Sequence, residues 1–176
     1  GGAVKSSSCG LTGGSGSLLK RYSDFRGEGA IEQISLGQTV SFEVNTIYCE
    51  WEDFNRLGIF VDFNADGVFD GAEETVYLSQ TMYGNHTFSG TFTVPMNAKT
   101  GLTGLRFVLT NGSAPQPCGA YAGGETEDYF VTIIGCEGDP TPGVTQASRT
   151  RFCSLAPDVV FSVTGDSPNQ PGIQYQ

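Results

Sequence analysis

Apolar and polar residues alternate over much of the chain between residues 34 and 134, which is the pattern of half-buried β-strands. The segment Leu57–Phe63 differs because its apolar run is almost continuous, which predicts a central strand buried on both faces. The sequence therefore predicts an all-β fold, an antiparallel β-sandwich of the jelly-roll type. Its predicted strands are Ile34–Val44, Leu57–Phe63, Glu74–Ser79, Thr87–Val94, Leu102–Thr110 and Tyr129–Ile134.

The composition changes along the chain and divides it into four regions: a Gly- and Ser-rich flexible lead-in at 1–17, the β-sandwich at 18–135, a Pro/Gly linker at 136–144, and a tail at 145–176. Within the sandwich, Leu18–Ile34 fits a short amphipathic turn as well as a strand. The tail contains two predicted strands, Thr145–Phe152 and Val159–Val163, and is too short to bury a core of its own. We interpret it as part of an immunoglobulin-like module or as a strand-donating tail.

One stretch after the central strand has the spacing of a calcium-binding loop, D-x-N-x-D-G-x-x-D-x-x-E. Gly67 stands at the sixth position, where such loops turn sharply, and the carbonyl of Val68 is the predicted ligand at the seventh. Ca²⁺ prefers about six to eight oxygen ligands, and this loop offers nearly all of them. The predicted ligands are Asp62, Asn64, Asp66, Val68, Asp70 and Glu73, the last of them bidentate.

The segments on either side of this loop have β character and lack a helical period. A helix–loop–helix sensor is therefore not expected, and the pattern favours a structural Ca²⁺ held between two strands. The alternative is an ordinary polar hairpin loop, because Asp, Asn and Gly are also common turn residues.

The net charge of −10 argues against nucleic acid and anionic membrane surfaces as partners. Five acidic residues lie within 62–74 and three more at 125–128, so eight of the nineteen acids fall in two short clusters. No apolar run approaches the ~20 residues that a membrane helix needs. The start of the chain does not resemble a native N-terminus, so we expect a piece of a longer exported protein.

The five cysteines lack C-x-x-C spacing, and one histidine cannot complete a zinc site with them. Disulfides in an oxidising, extracellular compartment are the better interpretation. We favour a bridge between Cys49 and Cys118, with Cys9 and Cys136 joining the two ends of the domain. A bridge between Cys136 and Cys153 is the alternative.

The second acidic cluster directly precedes the last predicted strand. In an extended segment Glu125 and Glu127 share one face and Asp128 takes the other. One or two of these carboxylates are candidates to complete the metal site or to hold a second cation. The alternatives are a solvated acidic turn or a carboxylate paired with Arg106.

The motifs Gly58–Gly67 and Gly124–Ile133, with Phe92–Pro95, Gly101 and Leu105–Phe107 between them, resemble the GEVED domain over residues 9–135. The present sequence has Thr126 where the family name has Val. The resemblance implies a non-catalytic β-sandwich of secreted and cell-surface bacterial proteins, strung with immunoglobulin-like repeats or appended to exported proteases.

An enzyme is not expected, because no phosphate loop or nucleophile elbow is present and His86 is interpreted as a surface histidine. The predicted function is a calcium-stabilised module in adhesion or surface architecture, with neighbouring modules of the same polypeptide as partners. The alternatives are a calcium-dependent carbohydrate-binding module, a filament subunit assembled by strand exchange, and an accessory domain of a secreted protease. Exposed aromatic candidates for glycan contact are Trp51, Tyr83 and Tyr121.

Overall fold

The computed structural model describes residues 14–19, 21–47, 54–135, 144–147 and 161–164. The regular secondary structure of these residues is β-strand, apart from short 3₁₀ turns at Arg26–Glu28 and Ala72–Glu74. The strands are β1 (Tyr22–Asp24), β2 (Ala30–Ser35), β3 (Thr39–Asn45), β4 (Phe54–Val61), β5 (Thr75–Leu78), β6 (Met82–Tyr83), β7 (Thr87–Thr93), β8 (Gly101–Asn111), β9 (Gly124–Ile134), β10 (Val144–Ala147) and β11 (Phe161–Thr164).

The larger layer is a seven-stranded sheet in the order β1-β9-β8-β4-β5, with β2 also pairing with β9 and β6 also pairing with β4. The strands β4, β8 and β9 run antiparallel to their neighbours in the centre, whereas β1 and β2 run parallel to β9. The predicted central position of the apolar strand is confirmed. Leu57, Ile59, Phe60 and Val61 are at most 1% exposed, so β4 is buried on both faces.

The smaller layer is the antiparallel pair β3-β7. Alternate residues of these strands, among them Val40, Phe42 and Phe88, pack against the inner face of the large sheet. That face contributes Leu57, Ile59, Val61, Leu105, Tyr129, Val131 and Ile133 to the core. The predicted all-β sandwich is therefore present.

The predicted strand Ile34–Val44 is wrong as a single element, because a turn at Leu36–Gln38 divides it between the two layers. Gly37 takes a positive φ of 72° there, and the backbone N–H of Ser35 donates to the side chain of Gln38 at 2.7 Å. Alternation continues through this turn, so the apolar pattern alone does not reveal that the chain changes layers.

The remaining differences lie near the edges of the sheets. Leu18–Ile34 contains the short strand β1, a 3₁₀ turn and the start of β2. Met82 and Tyr83 form the short strand β6, which pairs with the beginning of β4 before Gly84 turns the chain. In the tail, β10 and β11 form an antiparallel pair that overlaps the two predicted strands. No helix in the described part of the chain is long and apolar enough to cross a membrane.

Candidate functional site

The predicted metal loop begins where β4 ends, and Asp62 is its anchor. The side chain of Asp62 is only 5% exposed, and its backbone N–H donates to the carbonyl of Gly104 on β8 at 3.0 Å. The hydroxyl of Thr103 donates to the backbone carbonyl of Asp62. The backbone of the first predicted ligand is thus held by β8, a central strand of the large sheet.

The loop closes around the Asp62 carboxylate through backbone hydrogen bonds. The N–H of Gly67 donates to its Oδ2 at 3.0 Å, and the N–H of Asp66 lies 3.2 Å from its Oδ1. The side chains of Asn64 and Asp66 each accept the N–H two residues on, at 2.9 Å. Gly67 takes a φ of 86°, the conformation expected of the sixth-position glycine.

Ala65 takes a φ of 52°, which is costly for a residue with a Cβ. The Asp66 N–H donates hydrogen bonds to the side-chain oxygens of Asn64 and Asp62, and these bonds hold the chain in this left-handed turn. The loop therefore has a defined fold, built from the side chains that the spacing identified as ligands.

The glutamate that folds back into the loop is Glu74, the neighbour of the predicted ligand Glu73. Glu74 is 3% exposed, and its carboxylate accepts the N–H of Gly71 at 2.9 Å and of Asn64 at 3.4 Å. Glu73 is exposed. Glu74 lies one position beyond the twelve-residue calcium-loop pattern, which therefore assigned it no role. Nothing in that pattern predicts that Glu74 is buried.

Beside the loop lies a cleft of about 250 Å³. Its lining includes the predicted ligands Asn64 and Glu73 together with Glu74 and Asn97. The other predicted side-chain ligands, Asp66 and Asp70, are exposed. In the described residues, no three Asp, Glu, His or Cys side chains gather closely enough to hold a metal ion. The oxygen atoms of the predicted ligands are chemically suited to a hard cation, but their side chains do not converge on one point in this structure.

The loop also contacts the outer face of the large sheet, the face turned away from β3 and β7. The ring of Phe69 lies against Gly104, where a Cβ atom would stand 3.2 Å from it. The same ring stacks under the guanidinium of Arg106, with 5.0 Å between Cζ and the ring centroid. Phe69 therefore links the metal loop to a charged residue in the middle of β8.

Arg106 is the partner of the acidic motif. Its Nε and one terminal nitrogen donate to the two carboxylate oxygens of Asp128 at 2.6 and 2.7 Å. The remaining terminal nitrogen donates to the carbonyl of Pro117 at 2.7 Å. The hydrogen bond to Asp128 raises the pKa of the Arg106 guanidinium. Asp128 thus takes the arginine-paired arrangement that the sequence left open.

The hydroxyl of Tyr22 on β1 donates to the same Asp128 carboxylate at 2.8 Å. Burial, followed by this hydrogen bond, raises the pKa of Tyr22 to about 12. Asp128 therefore joins three strands, because Tyr22, Arg106 and Asp128 come from β1, β8 and β9.

Glu125 and Glu127 lie on the inner face of β9, opposite to Asp128. Glu125 accepts the hydroxyl of Ser23 at 2.8 Å, and Glu127 accepts the hydroxyl of Tyr129 at 2.7 Å. Burial and the nearby Glu127 charge raise the pKa of Tyr129. These carboxylates accept hydrogen bonds from side chains of β1 and β9, and both of these donors lie outside the metal loop.

The metal loop and the acidic cluster at residues 125–128 both fall inside one family match. The model of the GEVED domain matches residues 56–132, from β4 to near the end of β9. Over these residues the chain is similar to the GEVED domain. The matched residues include the metal loop, Arg106 and the acidic cluster at residues 125–128. The match is shorter than the span 9–135 of the sequence resemblance. No curated protein matches the chain.

The other predicted site residues are spread over the GEVED domain. Tyr121 lines a separate cavity of about 320 Å³ together with Arg21 and Arg106. Tyr83 is exposed on β6, and the ring of His86 packs edge-on against Phe88 at 4.7 Å. Trp51 lies outside the described residues.

Cys118 is exposed and forms no disulfide with another residue that the structure describes. The other four cysteines, Cys9, Cys49, Cys136 and Cys153, lie outside the described residues, so every predicted pairing stays a prediction.

Proposed function

We propose that this GEVED domain is a non-catalytic, calcium-stabilised module of an extracellular or cell-surface protein, in which it joins neighbouring modules. A GEVED domain suggests a module of this extracellular or surface kind. The finer role, in which Ca²⁺ ties the end of β4 to the start of β5, rests on the loop.

The observation that carries the proposal is the buried carboxylate of Asp62 with a closed loop around it. Five acids lie between residues 62 and 74, and the sequence has no Lys or Arg between Arg56 and Lys99. In the described part of the chain none of these five acids forms an ion pair. Their mutual repulsion would be relieved by a cation.

The proposed ligands are the side chains of Asp62, Asn64, Asp66, Asp70 and Glu73 and the carbonyl of Val68. Four of these side chains are exposed, and exposed side chains change rotamer within nanoseconds. All the donors are oxygens, as a hard cation requires. The bound ion would supply charge neutralisation and a cross-link between two strands, and it would take part in no reaction.

A ligand that binds only the folded state stabilises it by mass action. At a free calcium concentration one hundred times the dissociation constant, this amounts to about 2.7 kcal/mol. We therefore expect the melting temperature to fall by several degrees when calcium is replaced by a chelator. Asp62→Ala should lower the melting temperature as well, and the chelator should add nothing further.

Asp62 also accepts hydrogen bonds without an ion, so two milder variants isolate the metal. Asp66→Asn keeps the acceptor for the Val68 N–H, and Glu73→Gln changes an exposed side chain. Both should melt like the wild type in chelator and should gain less from calcium. Glu74→Gln should be destabilised even in chelator, because Glu74 accepts two loop N–H groups.

The matched control is Glu32→Gln, which removes one exposed negative charge from β2. It should respond to calcium like the wild type. Equal melting curves in calcium and chelator, or an equal calcium response in Asp66→Asn and Glu32→Gln, would contradict the proposal.

A further inference from the structure

A second surface lies at the opposite end of β4, on the outer face of the large sheet. Phe54 pairs with Tyr83 across β4 and β6, and Gly58 pairs with Leu78 across β4 and β5. Alternate residues of a strand share a face, so Arg56 stands on the same face between the two pairs. We call Phe54, Arg56, Leu78 and Tyr83 the edge patch.

The edge patch exposes large apolar side chains. Phe54, Leu78 and Tyr83 are 53%, 49% and 59% exposed. The rings of Phe54 and Tyr83 meet edge to face, with centroids 5.2 Å apart and planes inclined at 63°. This packing fixes two aromatic surfaces side by side at the end of a strand. Grouped exposed rings of this kind are typical of binding surfaces.

Arg56 supplies a charge that no residue in the described part of the chain neutralises. Its Nε is buried and has no hydrogen-bond partner, and its guanidinium takes part in no hydrogen bond or ion pair of the described residues. By contrast, Arg26 and Arg106 are each paired with an aspartate. A half-buried guanidinium without a partner is costly, and a carboxylate from outside would pair with its two terminal nitrogens through two parallel hydrogen bonds.

We propose that the edge patch binds an acidic polysaccharide, in which a uronate carboxylate meets Arg56 and the sugar rings lie on Tyr83 and Phe54. The apolar face of a pyranose ring fits a flat aromatic surface, and rigid sugar rings lose little conformational freedom when they bind. Charge adds to the selectivity for this ligand. A protein of net charge −10 repels anions over most of its surface, whereas the Arg56 guanidinium attracts a carboxylate locally.

The edge patch and the metal loop are well separated. Asp62 follows Phe54 by eight positions along an extended strand, which is roughly 26 Å at about 3.3 Å per residue. Binding at the edge patch should therefore not require Ca²⁺ as a ligand. This separates the present inference from a calcium-dependent lectin site and makes it independent of the calcium proposal.

Short galacturonate oligosaccharides are the probe, with neutral galactose oligosaccharides of the same length as the comparison. Calorimetric titration of the full chain should give a dissociation constant at least about tenfold lower for the acidic sugars, because the neutral sugars leave Arg56 unpaired. The same affinity should be found in calcium and in chelator, at a temperature where both forms are folded.

Two variants assign the contacts. Arg56→Gln should reduce the affinity for the acidic sugar to that for the neutral one. Tyr83→Ala should weaken binding at least about tenfold, whereas Tyr83→Phe keeps the ring and should bind like the wild type. Arg21→Gln removes an equal charge from a residue outside the edge patch and should leave binding unchanged. A thermal melt of each variant checks that it is folded.

Three results would overturn the inference. The first is no binding of the acidic sugar, and the second is equal binding of acidic and neutral sugars. The third is binding of poly-glutamate as tightly as the oligogalacturonate with no loss in Tyr83→Ala, which would make the edge patch a surface for acidic peptides instead.

Discussion

Asp128 shows how the acidic motif works at the scale of single residues. Its carboxylate is 3% exposed, and both oxygens are bound by the guanidinium of Arg106. A buried carboxylate needs such a partner, because the loss of hydration must be offset by charge and hydrogen bonds. The sequence showed three acids in a row of four residues, but their partners come from strands distant in sequence. Only the pairing of the strands decides which acid meets which base.

Replacing Arg106 should therefore strongly reduce the free energy of unfolding. In Arg106→Gln the carboxylate of Asp128 stays buried without its cation, and we expect a loss of about 3–5 kcal/mol in the free energy of unfolding. Urea denaturation measures it. Arg26→Gln breaks the more exposed pair with Asp24 and should cost less than about 1 kcal/mol. Similar losses in the two variants would contradict the structural role given to the Arg106–Asp128 pair.

Two tyrosines predict how stability depends on alkaline pH. The folded-state pKa of Tyr22 is about 12 against an ordinary value of 10.0, and that of Tyr129 is also raised, in both cases first by burial. A raised pKa means that the folded state keeps its proton while the unfolded state loses it. This contribution is complete below pH 10 and is lost as the pH rises from about 10 towards 12.

Urea denaturation at pH 8 and pH 11 should show the wild type losing stability at the higher pH. Tyr22→Phe should lose less between the same two values, because the linked proton of Tyr22 has been removed. An equal pH dependence in the wild type and in Tyr22→Phe would refute the role assigned to this hydroxyl.

At the scale of elements, the sequence predicted best where a pattern is local. The calcium-loop spacing placed Asp62 at the end of a strand and Gly67 at a left-handed turn, and the structure has both. It could not predict Phe69 over Arg106 or the inward turn of Glu74, because those contacts depend on where β8 and the 3₁₀ turn lie. The division of Ile34–Val44 was missed for a similar reason, since one glycine turn does not interrupt the alternation.

Gly124, the first residue of β9, tests the pairing of β8 and β9. It takes a φ of 127°, and a Cβ there would overlap the backbone carbonyl of Leu109. Gly124→Ala should cost at least about 3 kcal/mol, from strain and from displacement of the neighbouring strand. Gly101→Ala is the matched control, because Gly101 has a φ of 122° with open space around it.

Gly101→Ala measures backbone strain alone, and we expect it to lower the free energy of unfolding by about 1–2 kcal/mol. Denaturant unfolding of both variants gives the difference between the two costs. If Gly124→Ala costs no more than Gly101→Ala, the close approach of the two strands at the acidic motif is not as described.

At the scale of the molecule, alternation and turn residues were enough to predict two β-layers and a central β4. The assignment of strands to layers was not predictable, because among the described residues the small layer consists of β3 and β7 while the large one collects seven strands in mixed directions. The two ends of β4 carry different chemistry. One end holds the metal loop and the other holds the edge patch, so a module with this arrangement can be stabilised at one site and bind at another.

The central claim is that a single Ca²⁺ binds at the metal loop of the GEVED domain, and calorimetric titration of the chelator-treated protein with calcium tests it most directly. The account predicts a saturable isotherm with one ion per chain, weakened at least about tenfold in Asp66→Asn and unchanged in Glu32→Gln. No saturable heat up to millimolar calcium, or an isotherm that Asp66→Asn leaves unaltered, would contradict it.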